Sequence, residues 1–172
     1  MKPNHNWRIA LLALGIIALD QLTKLMVLKY LGFAQEKVVI PGFFKFVHWY
    51  NTGAAWSMFS GNNGILAVIA IVAVVALILA RRHFDAHTIG GQLSLGLILG
   101  GIVGNLIDRL MPTRRHVIDF LYFHVIRRDG TEAGFPAFNV ADSAICIGVG
   151  LLFVLSWRSR AGEAPEKAAS AK

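Results

Sequence analysis

Apolar residues in this chain fall into four long runs, separated by stretches in which polar and apolar positions alternate or mix. A helix needs about 20 predominantly apolar residues to cross a bilayer. Four stretches approach that length, at about 7–30, 64–80, 88–107 and 139–156. The first starts cleanly at Ile9–Leu19 and then carries Asp20, Gln21 and Lys24; the second holds no charge. The apolar part of the fourth is short, which puts its polar start near or within the membrane interface. Lys2 and Arg8 before an apolar run resemble a secretory signal. However, there is no small-x-small site around Ile16–Asp20, and the helical pattern continues through Leu22, Leu25 and Val27, so the segment reads as a retained span.

The connections differ in kind. Lys37–Ile40, then Pro41-Gly42, then Phe43–Trp49 reads as two strands joined by a turn, a β region at about 37–49. Residues 109–138 are polar, basic and partly amphipathic, which suits an interfacial segment. Residues 161–172 are small and polar and read as a disordered cytoplasmic tail behind a single integral membrane domain at 1–160. There is no internal repeat.

Composition supports the membrane reading. Of 172 residues, 55% are apolar and 16% charged, against roughly 45–50% and about 25% in soluble domains. A disordered chain, a coiled coil and a disulfide scaffold are excluded, and Cys146, the sole cysteine, reads as a small buried apolar residue. The net charge of +7 suggests anionic lipid and charge-set orientation here, not nucleic acid. If both termini and the 81–87 loop share one side, eight basic residues face nine on the other. The short Arg81–His87 loop, with Arg158 and Arg160 abutting a span, therefore decides, and it places that side in the cytoplasm.

The polar residues of the spans then gather on the opposite face. Asp20 and Lys24 lie late in span one, Asn51 and Thr52 precede span two, Asn105, Asp108 and Arg109 close span three, and Asn139 and Asp142 open span four. Ionisable groups in spans are costly and usually face the bundle interior or a wet cavity, so the four clusters suggest one site. Asp20 and Lys24 are i,i+4 and share a helix face, as do Asn105, Asp108 and Arg109. Gly96, Gly100 and Gly104 recur every fourth residue and suit close helix packing. Plainer readings exist: a helix ion pair for Asp20–Lys24, and a capping box for Asn139–Asp142. His48, His116 and His124 lack metal-ligand spacing, so no metal is expected. If Asp119 and Asp142 lie close together, the two carboxylates share one proton, one acting as base on water and the other as acid. A helix N-terminus favours the charged form of Asp142, but which acid holds the proton stays open.

Five strings, in order, carry a resemblance: Asp20-Gln-Leu-Thr-Lys24, Asn51-Thr-Gly-Ala-Ala-Trp-Ser57, Gly100-Gly-Ile-Val-Gly-Asn-Leu-Ile-Asp-Arg109, Val117-Ile-Asp-Phe120 and Phe138-Asn-Val-Ala-Asp-Ser143. Together they resemble lipoprotein signal peptidase (signal peptidase II) over about residues 9–157. The resemblance implies an all-α membrane protein with a small β element: a four-transmembrane-helix bundle plus an extracytoplasmic β-sheet and an interfacial helix within about 120–135. It implies an aspartic endopeptidase of the bacterial inner membrane, without cofactor, that cuts prolipoproteins on the N-terminal side of a diacylglyceryl-modified cysteine. Its dyad falls on Asp119 and Asp142. Asp20, Lys24, Asn51, Gly53, Ala55, Gly104, Asn105, Asp108, Arg109, Asn139 and Ala141 match the substrate-binding and supporting set. The partners implied are lipidated prolipoproteins and membrane lipids, with no nucleic acid, and a monomer is expected. Residues 127–134 look like an insertion relative to the family. A proton-coupled transporter would show inverted repeats and broken helices, which the sequence lacks. A non-enzymatic anchoring subunit would tolerate Asp119→Asn and Asp142→Asn.

Overall fold

The computed structural model describes residues 6–53 and 61–170, from 159 onward by backbone alone. Its four long helices are α1 (Asn6–Tyr30), α2 (Asn63–Ala80), α3 (Ile89–Leu110) and α4 (Val140–Ser170). All four are long and apolar enough to cross a membrane; in the last, Val140–Arg158 is the apolar part. A 3-10 turn at Arg81–Phe84 and left-handed Asp85 link α2 to α3. Thr88 caps α3, its hydroxyl accepting from Gly91 N at 3.0 Å.

The burial pattern is that of a bilayer protein. Leu11, Leu14 and Leu22 on α1, Val68 and Val72 on α2, and Ile147 and Phe153 on α4 are exposed, while Lys24, Asp20, Asp108 and Asn139 are fully buried. A water-soluble fold does the reverse; in lipid the backbone is satisfied within each helix and charges turn inward. Cys146 lies exposed on α4. The expectation of a buried thiol fails because α4's outer face borders lipid and not protein.

α3 is the hub: half of its apolar stretch is buried, against about a tenth in α1 and α2. Glycine makes this possible. A Cβ on Gly96 would meet Leu12 Cδ2 at 2.8 Å, one on Gly100 would meet Ile16 Cβ at 2.8 Å, and one on Gly104 would meet Asp20 Oδ2 at 2.8 Å. The opposite side of α3 packs on α4, where a Cβ on Gly101 would strike the carbonyl oxygen of Ala141. Gly101→Val is therefore expected to cost about 1–3 kcal/mol or more. Gly15, with nothing within 4 Å of its Cβ position, should accept alanine with no loss, and even a gain of about 0.5–1 kcal/mol. Thermal unfolding of both variants in one detergent checks the contrast.

Four antiparallel strands cover one end of the bundle: β1 (Glu36–Ile40), β2 (Phe44–Asn51), β3 (Val117–Ile126) and β4 (Glu132–Gly134), in that spatial order. Pro41-Gly42 turns β1 into β2, with Gly42 at φ +72°. β2 pairs with β3 so that Trp49 lies opposite Asp119 and Asn51 opposite Val117. Lys45 binds Glu36 at 2.7 Å and Glu132 at 3.0 Å, tying β1, β2 and β4 together.

Two expectations need correcting. Residues 117–126 and 132–134 form strands, and among the described residues no helix lies between α3 and α4. The run Val-Ile-Asp-Phe-Leu-Tyr-Phe-His-Val-Ile is β-branched and aromatic, and β2 offers it a free edge. Residues 127–134 thus supply the turn and β4 of the β3–β4 hairpin instead of extending an interfacial helix. The backbone of α4 also continues to Ser170, through Gly162 and Pro165, where the sequence reads as a disordered tail.

Candidate active site

The site is assembled where the sheet meets the ends of α1, α3 and α4. Phe138 bridges to Leu121 through paired backbone bonds of 2.9 and 3.1 Å. This docks the entry to α4 against β3 and sets Asn139 beside Asp119. Asn139 and Asp142 then form a reciprocal cap: Asp142 N donates to Asn139 Oδ1 at 2.9 Å, and Asn139 N donates to Asp142 Oδ2 at 3.2 Å. The Asn139 amide also donates to Asp119 Oδ1 at 2.8 Å and contacts Asn105 Oδ1 at 3.1 Å. One residue therefore touches both carboxylates.

The remaining oxygens are held as firmly. Asn51 Nδ2 donates to Asp119 Oδ2 at 2.9 Å, and Gly53 N in turn donates to Asn51 Oδ1 at 2.9 Å. Asn105 Nδ2 donates to Asp142 Oδ1 at 2.8 Å. Burial pushes the Asp119 carboxyl up to about 7, with the neighbouring Asp142 charge adding to the rise. A carboxyl in that range exchanges its proton near neutrality.

A second, fully buried layer supports the first. Lys24 Nζ lies 2.7 Å from Asp20 Oδ2, 2.6 Å from Asp108 Oδ2 and 2.9 Å from Asn105 Oδ1, satisfying its three protons. Asp20 Oδ1 accepts from Ala141 N at 3.0 Å, which fixes the first turn of α4. Ala141 itself is fully buried, and a Cβ on Gly104 would come within 3.3 Å of its methyl. Arg114 donates to Asp108 Oδ1 at 2.6 Å. Arg109 donates to the Gly53 carbonyl at 3.0 Å, lies within electrostatic reach of Asp142 and Asp119, and keeps a buried Nε that has no partner among the described residues.

Of the residues singled out in the sequence, Asp20, Lys24, Asn51, Gly53, Gly104, Asn105, Asp108, Arg109, Asp119, Asn139, Ala141 and Asp142 thus belong to one connected network. Ala55 lies outside the described residues. Sequence reasoning missed Gln21, which donates to Asp20, Gly104 and Asp108, and Arg114, which looks like one more basic residue after a span. It also missed Asn63, whose amide donates to the Arg109 carbonyl at 2.8 Å and ties α2 to the site. Only Gln21 had a signal, being one residue along from Asp20. Among the described residues no three His, Cys, Asp or Glu side chains are grouped to hold a metal ion.

The charges nearly cancel. Asp20, Asp108, Asp119 and Asp142 face Lys24, Arg109 and Arg114, so a single proton on the Asp119–Asp142 pair leaves the cluster neutral. A buried cluster resists any other balance. Fold and site together define a multi-pass membrane protein built around a paired-carboxylate centre.

Comparison with known proteins agrees with this class. The model of the signal peptidase (SPase) II family matches residues 12–158. A lipoprotein signal peptidase of Bacillus subtilis (strain 168) is 36% identical over 147 residues, covering 84% of this chain and 89% of that protein. One from Pseudomonas putida is 37% identical over 158 residues, covering 90% and 89%. Two solved structures, both described as bacterial membrane enzymes, superpose with TM-scores of 0.77 and 0.71 at 30% and 31% identity. They cover 90% and 86% of this chain, and 90% of each of theirs. The chain belongs to the signal peptidase II family and is a multi-pass bacterial membrane peptidase.

Proposed function

We propose that this protein removes the signal peptide from diacylglyceryl-modified prolipoproteins by hydrolysis on the N-terminal side of the lipidated cysteine, with Asp119 and Asp142 as the catalytic pair. The observation that carries this reading is the shared Asn139, bonded to both carboxylates, together with the raised Asp119. Asp142, at the positive end of α4, is the base; Asp119, more readily neutral, is the acid.

Asp142 takes a proton from water, and the water oxygen attacks the scissile carbonyl carbon. Asp119 gives its proton to the carbonyl oxygen, forming a neutral tetrahedral diol. Asp142 then protonates the leaving nitrogen as the C–N bond breaks, and one diol hydroxyl returns its proton to Asp119. The pair ends as it began, and no cofactor enters. The free Nε of Arg109 is placed to hold a substrate carbonyl, while Asn105 and Asn139 orient the acids. The substrate strand must be extended at this point, since a helix hides its carbonyls. The lipid on the substrate cysteine stays in the bilayer. The site faces the extracytoplasmic side, both termini face the cytoplasm, and the protein acts as a monomer.

The mechanism needs one proton on the pair. Because the Asp119 carboxyl is raised to about 7, the proton is present below that pH and lost above it. Cleavage of a lipidated prolipoprotein, measured as kcat/KM across pH, should fall about tenfold per pH unit above the alkaline midpoint near 7. A flat profile through pH 9 would remove Asp119 as the acid.

A further inference from the structure

An apolar groove of about 350 Å³ opens on the other side of β3 from the catalytic pair. Met26, Val27 and Tyr30 of α1 form one wall, Phe46 and Phe120 of the sheet form the floor, and Lys37 of β1 stands at the groove. Phe120 follows Asp119 directly, and successive strand residues point to opposite faces. The buried Phe120 ring therefore lies behind the strand whose other face presents Asp119. The Phe46 and Phe120 rings are 6.5 Å apart, centroid to centroid.

The groove is continuous with the bilayer-facing surface of α1: Leu22, Leu25 and Met26 are exposed on that helix. Among its lining residues only Lys37 is charged, and it lies on β1, which follows the end of α1 at Tyr30. The volume falls at the small end of the range for ligand sites, roughly 300–1,000 Å³.

We propose that this groove holds an acyl chain of a bilayer phospholipid, with Lys37 on the phosphate, and that the bound lipid braces β3 from behind. This site is distinct from the catalytic one and does not depend on the peptidase reading. Phe120 is already buried by protein, and it is the half-buried Phe46 that the lipid would cover.

The test is native mass spectrometry of the full-length protein, delipidated and then titrated with dioleoyl phosphatidylglycerol or dioleoyl phosphatidylcholine. Wild type should retain one phosphatidylglycerol per chain, and added inorganic phosphate should not displace it. Val27→Trp, which fills the groove, should retain at least tenfold less, and the milder Val27→Phe an intermediate amount. Lys37→Glu should abolish the preference for phosphatidylglycerol over phosphatidylcholine. Equal retention by wild type and both Val27 variants would overturn the proposal. So would displacement by free phosphate alone, or a groove that takes up a lipidated substrate peptide in place of phospholipid.

Discussion

Asp119→Asn and Asp142→Asn are each expected to lower kcat/KM for a lipidated prolipoprotein by at least 10²–10⁴-fold, the usual contribution of a positioned acid or base. The geometry argues that the folded protein survives both changes. Asn is isosteric with Asp, and at Asp119 its carbonyl oxygen still accepts from Asn139 or Asn51. The pair already shares one proton, so either single substitution leaves the cluster neutral and the fold should hold. The two variants should not be additive, since either alone leaves a pair that cannot both take and give a proton. Kinetics of the single and double variants, with thermal unfolding as the control for folding, check this. A double variant slower by the product of the single effects would argue for independent roles.

The second large effect is on stability. Lys24 is wholly buried and, among the described residues, is the one cation that contacts both Asp20 and Asp108. Lys24→Met removes it, leaving Asp20 with no ion-pair partner among the described residues and Asp108 paired with Arg114. Breaking a buried pair in this way costs about 3–5 kcal/mol, because the surviving charge is stranded. The expected result is a large fall in the unfolding midpoint in detergent. Adding Asp20→Asn should recover part of it by removing the stranded charge, although the amide loses the strong acceptor that now holds Ala141 N at 3.0 Å. If Lys24→Met alone left the midpoint unchanged, the support layer would have no structural weight. Activity should fall with stability in the single variant, since Ala141 and the first turn of α4 carry Asp142.

Much of this site was legible in the sequence because its logic is local. The i,i+4 spacing of Asp20 and Lys24 fixes a shared helix face whatever surrounds it, and the ion pair at 2.7 Å follows. The Asn139-Val-Ala-Asp142 string is a capping box in sequence and in structure, though the plain capping reading and the catalytic one are not rivals: the same cap holds Asp142 in place. Alternating span direction was enough to bring the four polar clusters to one end. The Pro41-Gly42 turn announced the β1–β2 hairpin.

What the sequence concealed was pairing between distant segments. β3 is a strand because β2, some 70 residues earlier, offers it an edge; reading residues 109–138 as an interfacial segment weighed their charge over their β-branched and aromatic run. Arg114 reaches Asp108 because the chain turns just after α3, Arg114 N donating to Met111 O at 3.0 Å, which no spacing rule anticipates. The opposite roles of Gly101 and Gly104 also need the three-dimensional packing. Both lie in one glycine-rich string, yet one meets the α4 backbone and the other the Asp20 carboxylate.

Cleavage of a lipidated substrate by the Asp119–Asp142 pair can be read directly from its products. Its most direct test is intact mass spectrometry of a diacylglyceryl-modified prolipoprotein incubated with purified wild type, Asp119→Asn, Asp142→Asn and Cys146→Ala. Wild type and Cys146→Ala are expected to release a product beginning at the lipidated cysteine, and both Asp variants none. No cleavage by folded wild type, or the same product from Asp119→Asn, would contradict it.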